Sequence, residues 1–213
     1  MEFLSSIVDL FLHLDRHLDQ IIRAYGTWTY AILFLVIFAE TGLVVTPFLP
    51  GDSLLFAAGT FAALGSLDPL YLTILLCAAA NLGDTTNYWI GHFAGPKMFH
   101  RENVRFLKKE YLERTHRYYD KYGGRTIIIA RFVPIVRTFA PFVAGVGRMG
   151  YGRFISYSVF AGIGWVSFFV YGGYFFGTIP VVRRHFSLVV IAIILISVMP
   201  MVTEFIRHRR RTT

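Results

Sequence analysis

Charged residues set inside long apolar runs constrain this chain more than any other feature. Tyr30 to Val45 is apolar apart from Glu40, and Thr126 to Gly147 is apolar apart from Arg131 and Arg137. Leu70 to Phe93, Phe154 to Gly177 and Phe186 to Ile206 are further runs near the roughly 20 residues a helix needs to cross a bilayer. Across all 213 residues 55% are hydrophobic and 16% charged, with mean hydropathy +0.53. A soluble domain carries about 25% charge. The apolar excess is more than one core absorbs, so lipid is the second solvent. The expected fold is an all-α integral membrane protein.

Prolines and glycines break two of the runs. Thr46-Pro47-Phe48-Leu49-Pro50-Gly51-Asp52 interrupts the first, and the apolar stretch that follows ends by Leu64, too short for a full crossing. A re-entrant hairpin over 46–64 fits better than two spans. Pro134, Pro141, Gly145 and Gly147 break the stretch that holds the arginines, which predicts a second hairpin over 126–147. In the Leu70–Phe93 run, Asn81, Asp84 and Asn87 recur at intervals that place them on one helix face, turned to the bundle interior. Residues 1–25 alternate an apolar and a charged face, as an amphipathic interfacial helix does. The membrane domain is then 26–213, with about four spans and a polar connection over 96–125. Thr46-Pro47-Phe48-Leu49-Pro50-Gly51 echoes Ala140-Pro141-Phe142-Val143-Ala144-Gly145 with three identities. The echo points to opposed hairpins in an inverted-repeat arrangement, the way many transporters build a midplane site.

Charge sets the orientation. The chain has 21 Lys and Arg against 13 Asp and Glu, a net charge of +8. The basic residues cluster in the 96–125 connection and in Arg207-His208-Arg209-Arg210-Arg211, which follows the last apolar run. Positive-inside topology accounts for that placement, and no basic-aromatic signature of nucleic-acid binding accompanies it. Both termini are therefore expected in the cytoplasm and Gly65 to Pro69 outside. Met1 to His17 lacks a basic leader and carries Asp9 and Asp15, so it does not read as a cleaved signal peptide. The single cysteine, Cys77, has no partner for a disulfide or a metal site.

Chemistry is concentrated in Glu40, Asp52, Arg131 and Arg137. A charge near the bilayer centre costs roughly 2.5–3.5 kcal/mol on insertion scales, so these four must pair, protonate or face a wet cavity. The plainer reading is two salt bridges that only hold the hairpins together. The functional one divides labour: arginine stays charged and forks onto phosphate, whereas a desolvated carboxylate can take up a proton. Glu40 and Asp52 are the proton-coupling candidates; Arg131 and Arg137 are the phosphate or lipid ligands. Pro50, Gly51, Asp84, Pro134, Pro141 and Gly145 support them. No nucleophile elbow, phosphate loop or zinc-binding run is present, so no enzyme, metal or cofactor is expected.

Phe38-Ala39-Glu40-Thr41-Gly42, Phe48-Leu49-Pro50-Gly51-Asp52-Ser53-Leu54-Leu55, and Gly83-Asp84 with Tyr88 and Gly91 resemble the DedA family of bacterial membrane proteins. Ala130-Arg131-Phe132-Val133-Pro134 and Val136-Arg137-Thr138, with Pro141 and Ala144-Gly145, complete the pattern over nearly the whole chain. The resemblance implies two facing re-entrant hairpins, shared with eukaryotic lipid scramblases, and residence in the bacterial inner membrane. It implies recycling of undecaprenyl phosphate across that membrane, a link to the proton-motive force, and functional roles for Glu40, Asp52, Arg131 and Arg137. The expected partners are undecaprenyl phosphate or another phosphate-bearing lipid, protons and the bilayer, with homo-oligomerisation left open and no nucleic acid. The competing functions are a general phospholipid scramblase, a proton-dependent exchanger of small solutes or drugs, and a non-transporting assembly factor.

Overall fold

The computed structural model describes residues 20, 22, 24–43, 51–99, 124–131, 134–184, 186, 188–189 and 191–193. All regular secondary structure among the described residues is helical. The helices are α1 (Trp28–Gly42), α2 (Gly51–Ala63), α3 (Pro69–Phe99), α4 (Arg125–Arg131), α5 (Pro134–Val146), α6 (Tyr151–Phe176) and α7 (Pro180–Arg184). The expected amphipathic helix over 1–25, most of the 96–125 connection and the end of the last apolar run lie largely outside the described residues. The chain divides into two compact units, one of Met1–Phe34, Pro50–Leu76 and Val166–Thr213, the other of Leu35–Leu49 and Cys77–Trp165.

In the first unit α2 is buried from Gly51 to Ala62. A helix with no polar stripe has to be covered all round. It packs against the C-terminal half of α6 at backbone distance: a Cβ on Gly59 would collide with the Val170 carbonyl, and one on Gly173 with the Phe56 carbonyl. The Thr60 hydroxyl donates across the same crossing to the Gly173 carbonyl at 3.2 Å. After α2, the Ser66 N–H bonds the Phe61 carbonyl and the Gly65 N–H the Ala62 carbonyl, with Gly65 at φ +80°. This left-handed stop satisfies carbonyls the helix end would leave orphaned. Asp68 then caps α3, its carboxylate accepting the Tyr71 N–H at 2.7 Å, with Pro69 as first helical residue.

The second unit repeats these devices. α5 crosses α3 through Gly145 against the Tyr88 carbonyl and Gly91 against the Phe142 carbonyl, both too close for a side chain. Like α2, α5 has 13 residues and ends in the same paired turn, from Met149 N–H to Ala144 carbonyl and Arg148 N–H to Gly145 carbonyl. Here a non-glycine, Arg148, holds the positive φ of 52°. Tyr88, Ile127, Ala140, Ala144, Met149 and Phe154 form the core, where the Tyr88 hydroxyl donates to the Met149 carbonyl and its ring stacks on Phe154 at 4.7 Å.

The Leu70–Phe93 run belongs to a 31-residue helix that reaches Phe99, and the Phe154–Gly177 run begins three residues earlier, at Tyr151. Among the α6 glycines, Gly173 and Gly162 sit at close approaches, whereas Gly164 faces open space. α6 is long and apolar enough to cross a membrane, and it turns Phe160 and Phe168 outward, 71% and 69% exposed. The six-residue echo falls at non-equivalent places: Gly51 is the first residue of α2, while Gly145 is next to last in α5.

Candidate functional site

Within the second unit, the ends of α1, α4 and α5 bring charge against the polar face of α3. Glu40 sits in the last turn of α1, where the helix dipole opposes a carboxylate, and Arg137 in the first turn of α5, where it opposes a cation. Each offsets the other: an Arg137 Nη2 donates to Glu40 Oε1, with Glu40 1% exposed and Arg137 7%. Arg131 ends α4, a position that suits a cation, and its Nη1 donates to Asp84 Oδ2. The Ser158 hydroxyl of α6 donates to the same oxygen at 2.5 Å. The two pairs sum to zero formal charge. Removing one member of such a pair leaves a buried charge uncompensated, at a cost of about 3–5 kcal/mol.

Asn87 fixes the register between the carriers of the first pair. Fully buried, its amide donates to the carbonyls of Thr41 at 3.0 Å and Thr138 at 2.6 Å, the residues that follow Glu40 and Arg137. The Thr41 carbonyl is among the last four of α1 and has no partner within that helix, so Asn87 acts as a cap from another segment. Pro141 lies inside α5 and withholds the N–H that the Arg137 carbonyl would otherwise accept. One aromatic ring serves both arginines: the Cζ atoms of Arg131 and Arg137 lie 5.1 and 4.6 Å from the Trp165 ring centroid.

Arg131 keeps donors in reserve. With Nη1 on Asp84, its Nε and Nη2 have no hydrogen-bond partner among the described residues, although the residue is 3% exposed. Gly162 lets α6 approach them closely, since a Cβ there would lie 3.2 Å from Asn81 Nδ2, 3.3 Å from Asn81 Oδ1 and 3.5 Å from Arg131 Nη2. That Asn81 oxygen also has no partner among the described residues. The arrangement leaves charged donors buried and without an acceptor among the described residues.

Of the residues singled out from sequence, Glu40, Asp84, Arg131, Arg137, Pro134, Pro141 and Gly145 all belong to this unit. Gly51 and Asp52 open α2 in the first unit, where the carboxylate suits the helix N-terminus and is 8% exposed. Pro50 lies outside the described residues. Asp84, expected only to support the site, is the direct counter-ion of Arg131. Ser158 and Trp165 were missed, although Ser158, Gly162 and Trp165 at i, i+4 and i+7 carried a signal: one helix face within an aromatic span. Among the described residues no three His, Cys, Asp or Glu side chains converge as a metal site.

The family model of the VTT domain matches residues 49–175. Over 212 residues the chain is 51% identical to Protein DedA of Escherichia coli (strain K12), covering 99% of this chain and 97% of that protein. It is 40% identical over 189 residues to an uncharacterized membrane protein of Mycobacterium tuberculosis (strain ATCC 25618 / H37Rv), covering 87% and 82%. A third relative, Inner membrane protein YqjA of Escherichia coli (strain K12), is 33% identical over 156 residues, covering 73% and 71%. No solved structure matches the chain.

Proposed function

The chain belongs to the DedA family of VTT-domain membrane proteins, and from that membership we propose that it returns a phosphate-bearing lipid, undecaprenyl phosphate, to the cytoplasmic leaflet of the inner membrane in a proton-coupled step. The observation that carries the reading is Arg131, whose buried Nε and Nη2 lack an acceptor among the described residues while Arg137 lies against the same Trp165 ring. A phosphate group brings several oxygens to guanidinium donors and forms paired, charge-assisted bonds with them. The N-terminus of α5, beside Arg137, adds the positive end of a helix dipole.

Protons enter through the carboxylates. Glu40 holds Arg137, so a proton on Glu40 removes the counter-charge and leaves that guanidinium to the phosphate. Asp52 is the second proton-linked carboxylate. Carrying an unneutralised charge through the membrane potential involves about 2.3 kcal/mol per 100 mV. An arginine pair and a proton offset much of that cost, with no covalent chemistry, so the chain acts as a transporter and not an enzyme.

Helix lengths support the hairpin reading. α2 and α5, of 13 residues each, extend about 20 Å, and α4, of 7, about 10 Å, against a hydrocarbon core of about 30 Å. They are the re-entrant arms. α6 is a full span, and the basic tail after Ile206 holds the C-terminus in the cytoplasm, with the N-terminus on the same side.

Purified protein in liposomes of defined composition tests this. Undecaprenyl phosphate should cross faster than phosphatidylglycerol or phosphatidylethanolamine analogues, and a proton gradient should raise its rate. Equal rates for all three would indicate a general scramblase. Proton-coupled solute exchange without lipid movement would indicate an exchanger.

A further inference from the structure

Two arginines on different helices, each with its own carboxylate, need something to keep them together. Their like charges repel; Glu40 holds Arg137 and Asp84 holds Arg131. The group that both guanidiniums meet is the ring of Trp165, at 5.1 and 4.6 Å, inside the roughly 6 Å over which a cation is drawn to an aromatic face. Trp165 is 1% exposed, so water does not weaken that attraction, and tryptophan is the strongest of the aromatic partners.

We propose that Trp165 is a positioning residue, a platform that holds Arg131 and Arg137 as one two-guanidinium anion site. It does not contact the reacting charge by hydrogen bond; it sets the distance between the groups that do. A ring attracts a cation without neutralising it, so Trp165 holds the arginines in place while the carboxylates, not the ring, balance their charge. The proposal rests on the phosphate reading of this site, and its test separates the two.

Tryptophan occurs three times, at 28, 89 and 165. Protein carrying Trp28→Phe and Trp89→Phe leaves Trp165 as sole emitter and is titrated in detergent micelles with undecaprenyl phosphate and, as control, with undecaprenol. Trp165 emission should change saturably with the phosphate lipid and stay constant with the alcohol. In otherwise wild-type protein, Trp165→Leu should weaken phosphate-lipid affinity about tenfold and Trp165→Phe, which keeps a smaller aromatic face, only about threefold. A folded Trp165→Leu protein with wild-type affinity overturns the platform. If Trp165→Leu does not fold, Trp165→Phe decides, and unchanged affinity with unchanged emission response to lipid in the single-tryptophan protein counts against it. Should the wild type bind neither lipid, the phosphate reading falls by itself. The platform is then judged by Arg137→Lys in the single-tryptophan protein: altered Trp165 emission supports it and unaltered emission removes it.

Discussion

Replacing Asn87 by leucine keeps the branching at Cγ, adds some bulk and removes both of its donors. The amide bridges the Thr41 and Thr138 carbonyls at 3.0 and 2.6 Å from a fully buried position, so no water replaces it. The two ends differ in value. Thr138 lies inside α5, where the Phe142 N–H already faces its carbonyl in the helical ladder, and losing a second donor there costs about 0.5 kcal/mol. Thr41 lies in the last turn of α1 with no intrahelical donor, and a buried carbonyl left without one costs about 1–3 kcal/mol. The Asn87 oxygen has no partner among the described residues, which leaves no loss on that side. The sum is about 1.5–3.5 kcal/mol, above the roughly 0.6 kcal/mol average for interhelical hydrogen bonds in a bilayer because one acceptor has no alternative. Equilibrium unfolding by SDS in mixed micelles measures it, and a loss below about 0.5 kcal/mol would refute the capping argument.

Gly91→Leu should prevent α3 and α5 from crossing at the Phe142 carbonyl, seen as loss of folded monodisperse protein after extraction; wild-type yield and melting would contradict the close approach. Asp84→Asn should destabilise by about 3–5 kcal/mol, because Arg131 stays buried without its counter-charge, and the same SDS titration reads it. Glu40→Gln and Asp52→Asn should insert and bind lipid yet lose the response of transport to a proton gradient. Either variant with the wild-type pH profile in liposomes drops out of the coupling step.

The sequence exposed the problem of this fold more readily than its solution. Charges inside apolar runs, the polar face of Asn81, Asp84 and Asn87, and the prolines before two short helices were all legible, because bilayer energetics and helix stereochemistry act on local sequence. Counter-ion choice was not. An isolated arginine announces its cost but not its partner, which depends on how α3, α4, α5 and α6 cross, and those crossings turn on glycines such as Gly91 and Gly145 that look ordinary in an apolar run. Asp84 was therefore read as support although it neutralises Arg131 directly. Trp165 was hidden for a related reason: an aromatic in an aromatic span has no distinguishing context until its face is known. The six-residue echo around Pro141 carries likeness of sequence without likeness of position, since Gly51 opens its helix and Gly145 is next to last in its own.

Geometry gives the arginines their proposed role, so the most direct test keeps charge and alters shape. Lysine retains the cation but lacks the planar fork that meets phosphate with two parallel donors. Transport of undecaprenyl phosphate into liposomes is measured for wild type, Arg131→Lys and Arg137→Lys protein reconstituted at equal density. A phosphate clamp predicts that each lysine variant folds, keeps its ion pair with Asp84 or Glu40, and loses about tenfold or more in rate, the equivalent of about 1.4 kcal/mol. Wild-type rates in both lysine variants would contradict the clamp and leave Arg131 and Arg137 as salt-bridge partners alone.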